Sequence, residues 1–233
     1  MAFPSPVKNY HTDTYAAIDP TSPGLSTRGK DVVITGGGLG VGKSIAFSFA
    51  KSGASSIFIL GRTAKTLIET QNEIENAYPQ TTVHYYIADI EDSNALVTTF
   101  KSIQSTVGSI HILVANAGYL PDIGPIVKIG LDEWFKGFET NVKGNFNLVN
   151  AFIPVATKGA SIISISTVLA HLPHIPGYSS YHTSKLAAAK LFDYVHYENP
   201  DLFALKIHPG AIDTAMNKKS LAAGNQLPLD QRK

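Results

Sequence analysis

The chain has 233 residues, of which 44% are hydrophobic and 16% charged, enough to build one α/β domain with a sizeable core. Its net charge of +1 argues against binding nucleic acid or an anionic membrane through a general positive field. With no cysteine, no membrane-length apolar run and no apolar signal core near Met1, we expect a cytoplasmic protein without disulfides, thiolate catalysis or cysteine-based zinc sites. His171, His174, His182 and His208 lack metal-ligand spacing on one helix and have no accompanying carboxylate cluster, so no metal site is expected.

Residues 1–30 are rich in proline, serine, threonine and aspartate, and they are predicted to form an N-terminal arm. From residue 31 onward, short apolar runs alternate with segments of helical periodicity. Strands are predicted at Asp31–Thr35, Ser56–Leu60, Thr82–Ile87, Ile110–Ala115, Ser161–Ser166 and Leu202–His208. Helices are predicted at Lys43–Ser52, Ala64–Ala77, Ser93–Val107, Leu131–Thr157 and Tyr178–Glu198.

This alternation predicts a doubly wound α/β fold, with a parallel sheet of about six strands covered by helices on both faces. The predicted domain occupies residues 31–216. Residues 217–233 are polar, and no further strand is predicted there.

The glycine-rich turn after the first strand fits two phosphate-binding patterns at once. Gly37 to Ser44 has the spacing G-x-x-x-x-G-K-S of the phosphate loop in nucleotide triphosphatases. Thr35 to Gly42 has the spacing T-G-x-x-x-G-x-G, a variant of the dinucleotide-binding turn. In both cases, backbone N–H groups at a helix start favour an anion, so the turn alone does not choose between the ligands.

Charged residues follow the second and third strands. Arg62 stands where an NAD site would place an acid for the ribose hydroxyl, which favours NADP, because a guanidinium pairs well with a 2′-phosphate. Asp89 follows the third strand at the ligand edge of the sheet, where it suits either a magnesium ion in a phosphate-loop protein or the adenine of a dinucleotide.

Tyr181 and Lys185 are four residues apart on a predicted helix and therefore share one face. A neighbouring ammonium favours the phenolate and is expected to lower the tyrosine pKa. Such a pair can exchange a proton with a carbonyl or alcohol oxygen. Because this spacing is common in helices, it indicates a catalytic pair only in combination with the other motifs of the chain.

Six motifs occur in a characteristic order along the chain: Thr35-Gly36-x-x-x-Gly40-x-Gly42, Asn116-Ala117-Gly118, Asn141 within Thr140–Gly144, Ser166-Thr167, Tyr181-x-x-x-Lys185 and Pro209-Gly210-x-x-x-Thr214. This set resembles the classical short-chain dehydrogenase/reductase family, over about residues 30–216. The leader and the Tyr178–Pro200 segment resemble the branch of fungal reductases of secondary metabolism.

The resemblance implies catalytic roles. Tyr181 would be the general acid in reduction or the base in oxidation, and Lys185 would bind the nicotinamide ribose and lower the Tyr181 pKa. Asn141 would hold a water in a proton relay to Lys185.

The resemblance also implies a cofactor site for NADP, with NAD disfavoured. Its residues would be Gly36, Leu39, Gly40, Val41 and Gly42 at the pyrophosphate, Arg62, Asp89 and Ile90 at the adenosine, Asn116 and Gly118 at the adjoining ribose, Tyr181 and Lys185 at the nicotinamide ribose, and Ile212 and Thr214 at the carboxamide.

One departure from the family concerns the serine that polarises the substrate carbonyl, thirteen residues before the tyrosine. Here that position is Val168. A one-residue insertion in the following loop would bring Thr167 into the role, and Ser166 is the alternative. Threonine is stiffer than serine at χ1, which affects the direction in which its hydroxyl can point toward the substrate carbonyl.

A second departure is the end of the chain. Family members usually continue past the position of Thr214 with a substrate-covering segment, a helix and a seventh strand. The resemblance therefore implies a fragment or a shortened product, with exposed apolar surface at the sheet edge. A homo-oligomer stays open but is disfavoured without that strand.

Three functions compete at this point. The first is an NADPH-dependent oxidoreductase that interconverts a carbonyl and a secondary alcohol. The second is a shortened, non-catalytic dinucleotide-binding or partner protein. The third is a triphosphatase using Lys43 and Ser44, which leaves the Tyr181–Lys185 pair and Asn141 without a role.

Overall fold

A six-stranded parallel sheet forms the centre of the molecule. The structure, a computed structural model, describes residue 11, residues 13–171 and residues 175–224. The strands are β1 (Asp31–Thr35), β2 (Ser56–Gly61), β3 (Thr82–Ile87), β4 (Ile110–Ala115), β5 (Ala156–Ile165) and β6 (Phe203–Ile207). Their order in the sheet is β3-β2-β1-β4-β5-β6. Successive strands are added outward on one side of β1 and then, from β4, on the other side, so a crevice opens between β1 and β4 at the carboxyl ends of the strands.

Helices cover both faces of the sheet, as the doubly wound prediction requires. They are α1 (Gly40–Lys51), α2 (Ala64–Ala77), α3 (Ser93–Val107), α4 (Leu131–Phe138), α5 (Asn145–Phe152), α6 (Ser179–Glu198) and α7 (Ala215–Ala222). Alternate strand residues enter two separate cores. Val33 packs with Phe100 of α3 and Phe152 of α5, whereas Val32 packs with Ala46 of α1 and Ile74 of α2. The predicted fold class is confirmed.

The predicted helix over Leu131–Thr157 is helical from Leu131 to Phe152, but it ends earlier than predicted and is not α-helical throughout. A π-helical segment at Glu139–Gly144 separates α4 from α5, and a 3-10 turn at Ile153–Val155 ends the helical run. Pro154 lies in that turn, and since proline lacks an N–H it disfavours a continuing helix. As a result β5 begins at Ala156, before the predicted start at Ser161.

Other boundaries shift by a few residues. The first helix begins at Gly40 rather than Lys43, so the glycine turn itself forms the first helical turn. In the arm, two short 3-10 turns form, and Arg28 makes an isolated antiparallel bridge to Ala54; residues 1–10 and 12 lie outside the described part of the chain.

The first described residues of the predicted C-terminal segment are helical, which the sequence reasoning did not predict. Thr214 is the N-cap of α7, and its Oγ1 accepts a hydrogen bond from the Asn217 N–H at 3.2 Å. Residues 225–233 lie outside the described part of the chain.

In the described part of the chain, strand β6 is one edge of the sheet and β3 is the other. The alternate β6 residues Phe203, Leu205 and Ile207 are apolar and exposed. Exposed apolar side chains beside unpaired strand groups favour association with another strand. Among the described helices, none combines the length and hydropathy needed to cross a bilayer.

Candidate active site

One cleft of about 1250 Å³ lies at the carboxyl ends of the strands. It brings together nearly all residues that the sequence reasoning selected, from strands, loops and helices far apart in the chain. These are Gly36, Leu39, Gly40, Val41, Arg62, Asp89, Ile90, Asn116, Gly118, Ser166, Thr167, Tyr181, Lys185, Ile212 and Thr214. The two exceptions, Gly42 and Asn141, are packed beneath the cleft wall rather than in it.

The glycine turn allows the backbone to pass close to itself and to a ligand. Gly36 has φ 67° and Gly40 has φ 53°, conformations that side chains disfavour. A Cβ at Gly42 would lie 2.3 Å from the Gly36 carbonyl oxygen, so position 42 has no room for a side chain. Leu39, the N-cap of α1, makes no side-chain cap, which leaves the first N–H groups of that helix available to an anion.

Lys43, the lysine of the phosphate-loop pattern, does not lie in the cleft. Lys43 Nζ forms an ion pair with Glu73 of α2 at 2.7 Å, and the Ser44 hydroxyl donates to the Gly40 carbonyl. Neither residue lines the cleft. The backbone of the turn therefore faces the cleft without the two side chains that a triphosphatase would need there.

Arg62 and Asp89 lie together at one end of the cleft. The Arg62 Nη1 atom is 3.8 Å from the Asp89 Oδ2 atom, and the arginine side chain is 67% exposed. An exposed pair of this length is weak, so the guanidinium can turn to a ligand phosphate at little cost. Ile90 is buried beside Gly144, where an added Cβ would lie 2.7 Å from its side chain.

Asn116 ties the ends of β1 and β4 together. Its Nδ2 donates to the Thr35 carbonyl at 2.8 Å, while its backbone N–H donates to the Thr35 hydroxyl at 3.0 Å. Asn116 thus links these two strands, and its contact with a cofactor ribose stays a prediction.

Tyr181 and Lys185 lie in the cleft one turn apart on α6. Lys185 Nζ donates to the Ile165 carbonyl at 2.8 Å, and burial lowers the Lys185 pKa to about 8. Burial, with a smaller contribution from Tyr178, raises the Tyr181 pKa to about 12.

The expectation that Lys185 lowers the Tyr181 pKa is therefore not met in this structure. The same burial that raises the pKa of the phenol lowers the pKa of the amine, because both charged forms are disfavoured away from water. The pair consequently favours a neutral phenol, which is the form that donates a proton.

Asn141 sits at the centre of the π-helical segment and is fully buried. Its Nδ2 donates to the Tyr119 carbonyl and to the Ser184 hydroxyl, and its Oδ1 accepts from the Tyr119 N–H. Both amide hydrogens are therefore used, and a relay water could bind only through remaining oxygen lone pairs. A Cβ at Gly118 would lie 3.3 Å from Asn141 Oδ1 and 3.9 Å from Lys185 Nζ, so the two groups flank the same small gap.

Ser166 and Thr167 both line the cleft after β5. Thr167 caps a 3-10 turn, and its Oγ1 accepts from the Leu169 N–H at 3.2 Å. Because this bond uses only a lone pair, the Thr167 hydroxyl can still donate to a substrate oxygen.

Thr214 closes the cleft opposite the glycine turn. A Cβ at Gly40 would lie 3.3 Å from its side chain. Sequence reasoning missed three neighbours of the site: Ser184, which bonds Asn141, and Tyr178 and Ser220, which bond each other across the cleft wall. Only Ser184 carries a sequence signal, since it directly precedes Lys185 on α6.

A model of the family described as short chain dehydrogenase matches residues 30–224. The chain belongs to the short-chain dehydrogenase family. A short chain dehydrogenase of Monascus purpureus, mpl6, is 31% identical over 228 residues, which cover 93% of this chain and 77% of that relative. Membership makes the chain an oxidoreductase of a family that uses NAD or NADP.

Solved structures agree with the fold. A short chain dehydrogenase from Shigella flexneri 2a in complex with NADP has a TM-score of 0.80 at 21% identity, with 87% of each chain covered. An NAD⁺-bound xylitol dehydrogenase has a TM-score of 0.74 at 23% identity, with 79% of this chain and 71% of that chain covered. At these identities the likeness concerns the fold and leaves the choice of cofactor open.

Proposed function

We propose that this short-chain dehydrogenase is an NADPH-dependent reductase, or the reverse dehydrogenase, that interconverts a carbonyl and a secondary alcohol. The observation that carries the proposal is a single cleft that holds both the glycine turn at Gly36 and Gly40 and the Tyr181–Lys185 pair. An anion-binding helix start and a proton donor belong in one site when a dinucleotide and a carbonyl react there.

The cleft suits the cofactor along its whole length. The free N–H groups at the start of α1 would hold the pyrophosphate, Asp89 and Ile90 would flank the adenine, and Arg62 would pair with the 2′-phosphate. Arg62 and the absence of an acid after β2 support NADP over NAD. When bound, NADPH supplies the hydride that reaches the carbonyl carbon.

Residues of the chain supply the proton and orient the substrate and the cofactor. Tyr181 donates its phenolic proton to the carbonyl oxygen, and Thr167 donates a hydrogen bond to the same oxygen. Lys185 holds the nicotinamide ribose, and Asn141 supports the relay that returns a proton to Tyr181. Ile212 and Thr214 hold the carboxamide.

The fungal relatives support a place in secondary metabolism, as the sequence resemblance suggested. The substrate end of the cleft includes Leu120, Val168, Leu169 and Met216, and this apolar lining suits a neutral carbonyl compound.

The experiment that tests the proposal measures NADPH oxidation with a panel of ketones and aldehydes, beside NADPH binding by fluorescence. We expect binding together with turnover of at least one apolar ketone. Binding without oxidation of NADPH across the panel would instead support a non-catalytic dinucleotide-binding protein.

Replacing Arg62 tests the cofactor preference. We expect Arg62→Ala to raise the Kd of NADPH by about 10- to 100-fold, the range for losing a charge-assisted hydrogen bond. The Kd of NADH should change by less than about twofold. The matched control is Lys65→Ala, an exposed cation at the start of α2 that does not line the cleft. Equal loss of NADPH and NADH affinity would contradict a 2′-phosphate contact.

Two single substitutions decide between the hydroxyls after β5. We expect Thr167→Ala to lower kcat by about 10²-fold, the usual cost of removing one donor to a developing oxyanion. Ser166→Ala should lower kcat by less than about fivefold. The reverse ranking in steady-state kinetics would assign the role to Ser166.

A further inference from the structure

Helix α7 covers part of the cleft, and its position depends on contacts with the rest of the molecule. An eight-residue helix is too short to be stable alone. Asn217 and Ser220 are one turn apart on it, and both line the cleft. Lys218 points away, with its side chain 70% exposed.

Lys219 and Ser220 attach α7 to distant parts of the chain. Lys219 Nζ donates to the Leu120 carbonyl at 3.0 Å and pairs with Asp122 Oδ1 at 2.8 Å, which attaches the helix to the loop after β4. Separately, the Ser220 hydroxyl is hydrogen-bonded to the Tyr178 hydroxyl, and both residues are buried.

Tyr178 links this second contact to the proton donor. Its ring meets the Tyr181 ring edge-on, with 6.4 Å between the centroids. Its backbone carbonyl accepts from the His182 N–H at 2.9 Å, so the residue is anchored to the first turn of α6. A change in the Tyr178–Ser220 bond therefore reaches both α7 and the Tyr181 ring.

We propose that the buried Tyr178–Ser220 hydroxyl pair is a positioning device that holds α7 over the substrate and sets the orientation of Tyr181. This inference rests on the proposed function for its kinetic readout. Tyr178 and Ser220 act through Tyr181 and α7, and neither is assigned a chemical step. The Lys219 contact joins α7 to the β4 loop at Leu120 and Asp122 and does not reach Tyr178.

A double-mutant cycle tests the pair, using wild-type enzyme, Tyr178→Phe, Ser220→Ala and the double variant with NADPH and an apolar ketone. Each single variant leaves one buried hydroxyl without its partner, so we expect each to lower kcat/KM about tenfold. The double variant should lose no more than the worse single variant, because both hydroxyls are then gone. Additive losses would overturn the proposal.

Separate measurements of KM and kcat distinguish an effect on the orientation of Tyr181 from an effect on the position of α7 alone. Lys219→Met loosens α7 and the β4 loop but keeps the Tyr178–Ser220 bond, so it should raise the ketone KM by a larger factor than it lowers kcat. Tyr178→Phe and Ser220→Ala should lower kcat as well, while the NADPH Kd stays within about threefold. Unchanged kcat in both hydroxyl variants would contradict the link to Tyr181. Tyr197→Phe and Lys218→Ala, both at exposed positions, are the controls for the tyrosine and for the helix.

Hydrogen–deuterium exchange gives a readout that needs no turnover. We expect the amides of α7 to exchange faster in Ser220→Ala and Tyr178→Phe than in Lys218→Ala or wild type. Unchanged exchange would refute the pair as the support of α7. If the wild-type protein lacks reductase activity, the proposed function is refuted. Faster exchange in the two hydroxyl variants would still show that the Tyr178–Ser220 bond supports α7.

Discussion

Tyr181→Phe should lower kcat for ketone reduction by about 10²- to 10⁴-fold, the usual contribution of a positioned general acid. The substitution removes one hydroxyl and keeps the ring that packs against Tyr178. NADPH affinity should stay within about threefold, because the glycine turn proposed to hold the pyrophosphate lies on another element. Steady-state kinetics with a fluorescence titration of NADPH checks both numbers. Full activity in this variant would remove Tyr181 from the mechanism.

The pKa of Tyr181 gives this prediction a pH dependence. With a pKa raised to about 12 by burial, the phenol keeps its proton throughout the neutral range. Reduction uses the protonated form, so kcat for reduction should show no loss between about pH 6 and 9 from this group. Alcohol oxidation uses the phenolate, so its rate should rise with pH.

Lys185→Met should abolish turnover and yet raise the free energy of unfolding of the cofactor-free protein at neutral pH. Burial lowers the Lys185 pKa from 10.5 to about 8, which means that folding disfavours the charged amine. That penalty is partly offset by the hydrogen bond to the Ile165 carbonyl. We expect a net gain in the free energy of unfolding of about 1 to 3 kcal/mol for the methionine variant, measured by urea or thermal unfolding.

The gain should depend on pH. Below pH 8 the folded and unfolded chains both carry the Lys185 proton, so the wild type bears the full penalty. Between about pH 8 and 10.5 the folded chain releases the proton first, and wild-type stability recovers as the pH rises. The advantage of Lys185→Met should therefore shrink over that range. A variant that is less stable than wild type at pH 7 would contradict the burial of a costly charge.

Apolar runs and glycine positions predicted most of the fold. The bounds of β1, α2, β3, α3 and β4 match the predicted ones, because each is a periodic run with a turn or cap at its ends. The π-helical segment between α4 and α5 escaped prediction; there Asn141 donates a hydrogen bond to Tyr119 from another part of the chain. Periodicity within one segment does not reveal such a contact.

The sequence likewise predicted some features of the candidate site and not others. Motif order predicted which residues meet in the cleft, because parallel strands bring their carboxyl ends to one edge. The pair Tyr178 and Ser220 gave no signal, since two hydroxyls 42 positions apart have no characteristic spacing. The direction of the Tyr181 pKa shift also needed the structure, because burial opposes what a nearby ammonium suggests.

Deuterium transfer tests the central claim most directly. The wild-type chain is incubated with an apolar ketone and NADPH that carries deuterium at both C4 positions, and the product is analysed by mass spectrometry and NMR. We predict a secondary alcohol with one deuterium on the carbinol carbon, formed by wild type and formed at least about 10²-fold more slowly by Tyr181→Phe. Binding of the deuterated NADPH with no deuterated alcohol, or equal rates in the two proteins, would contradict this account.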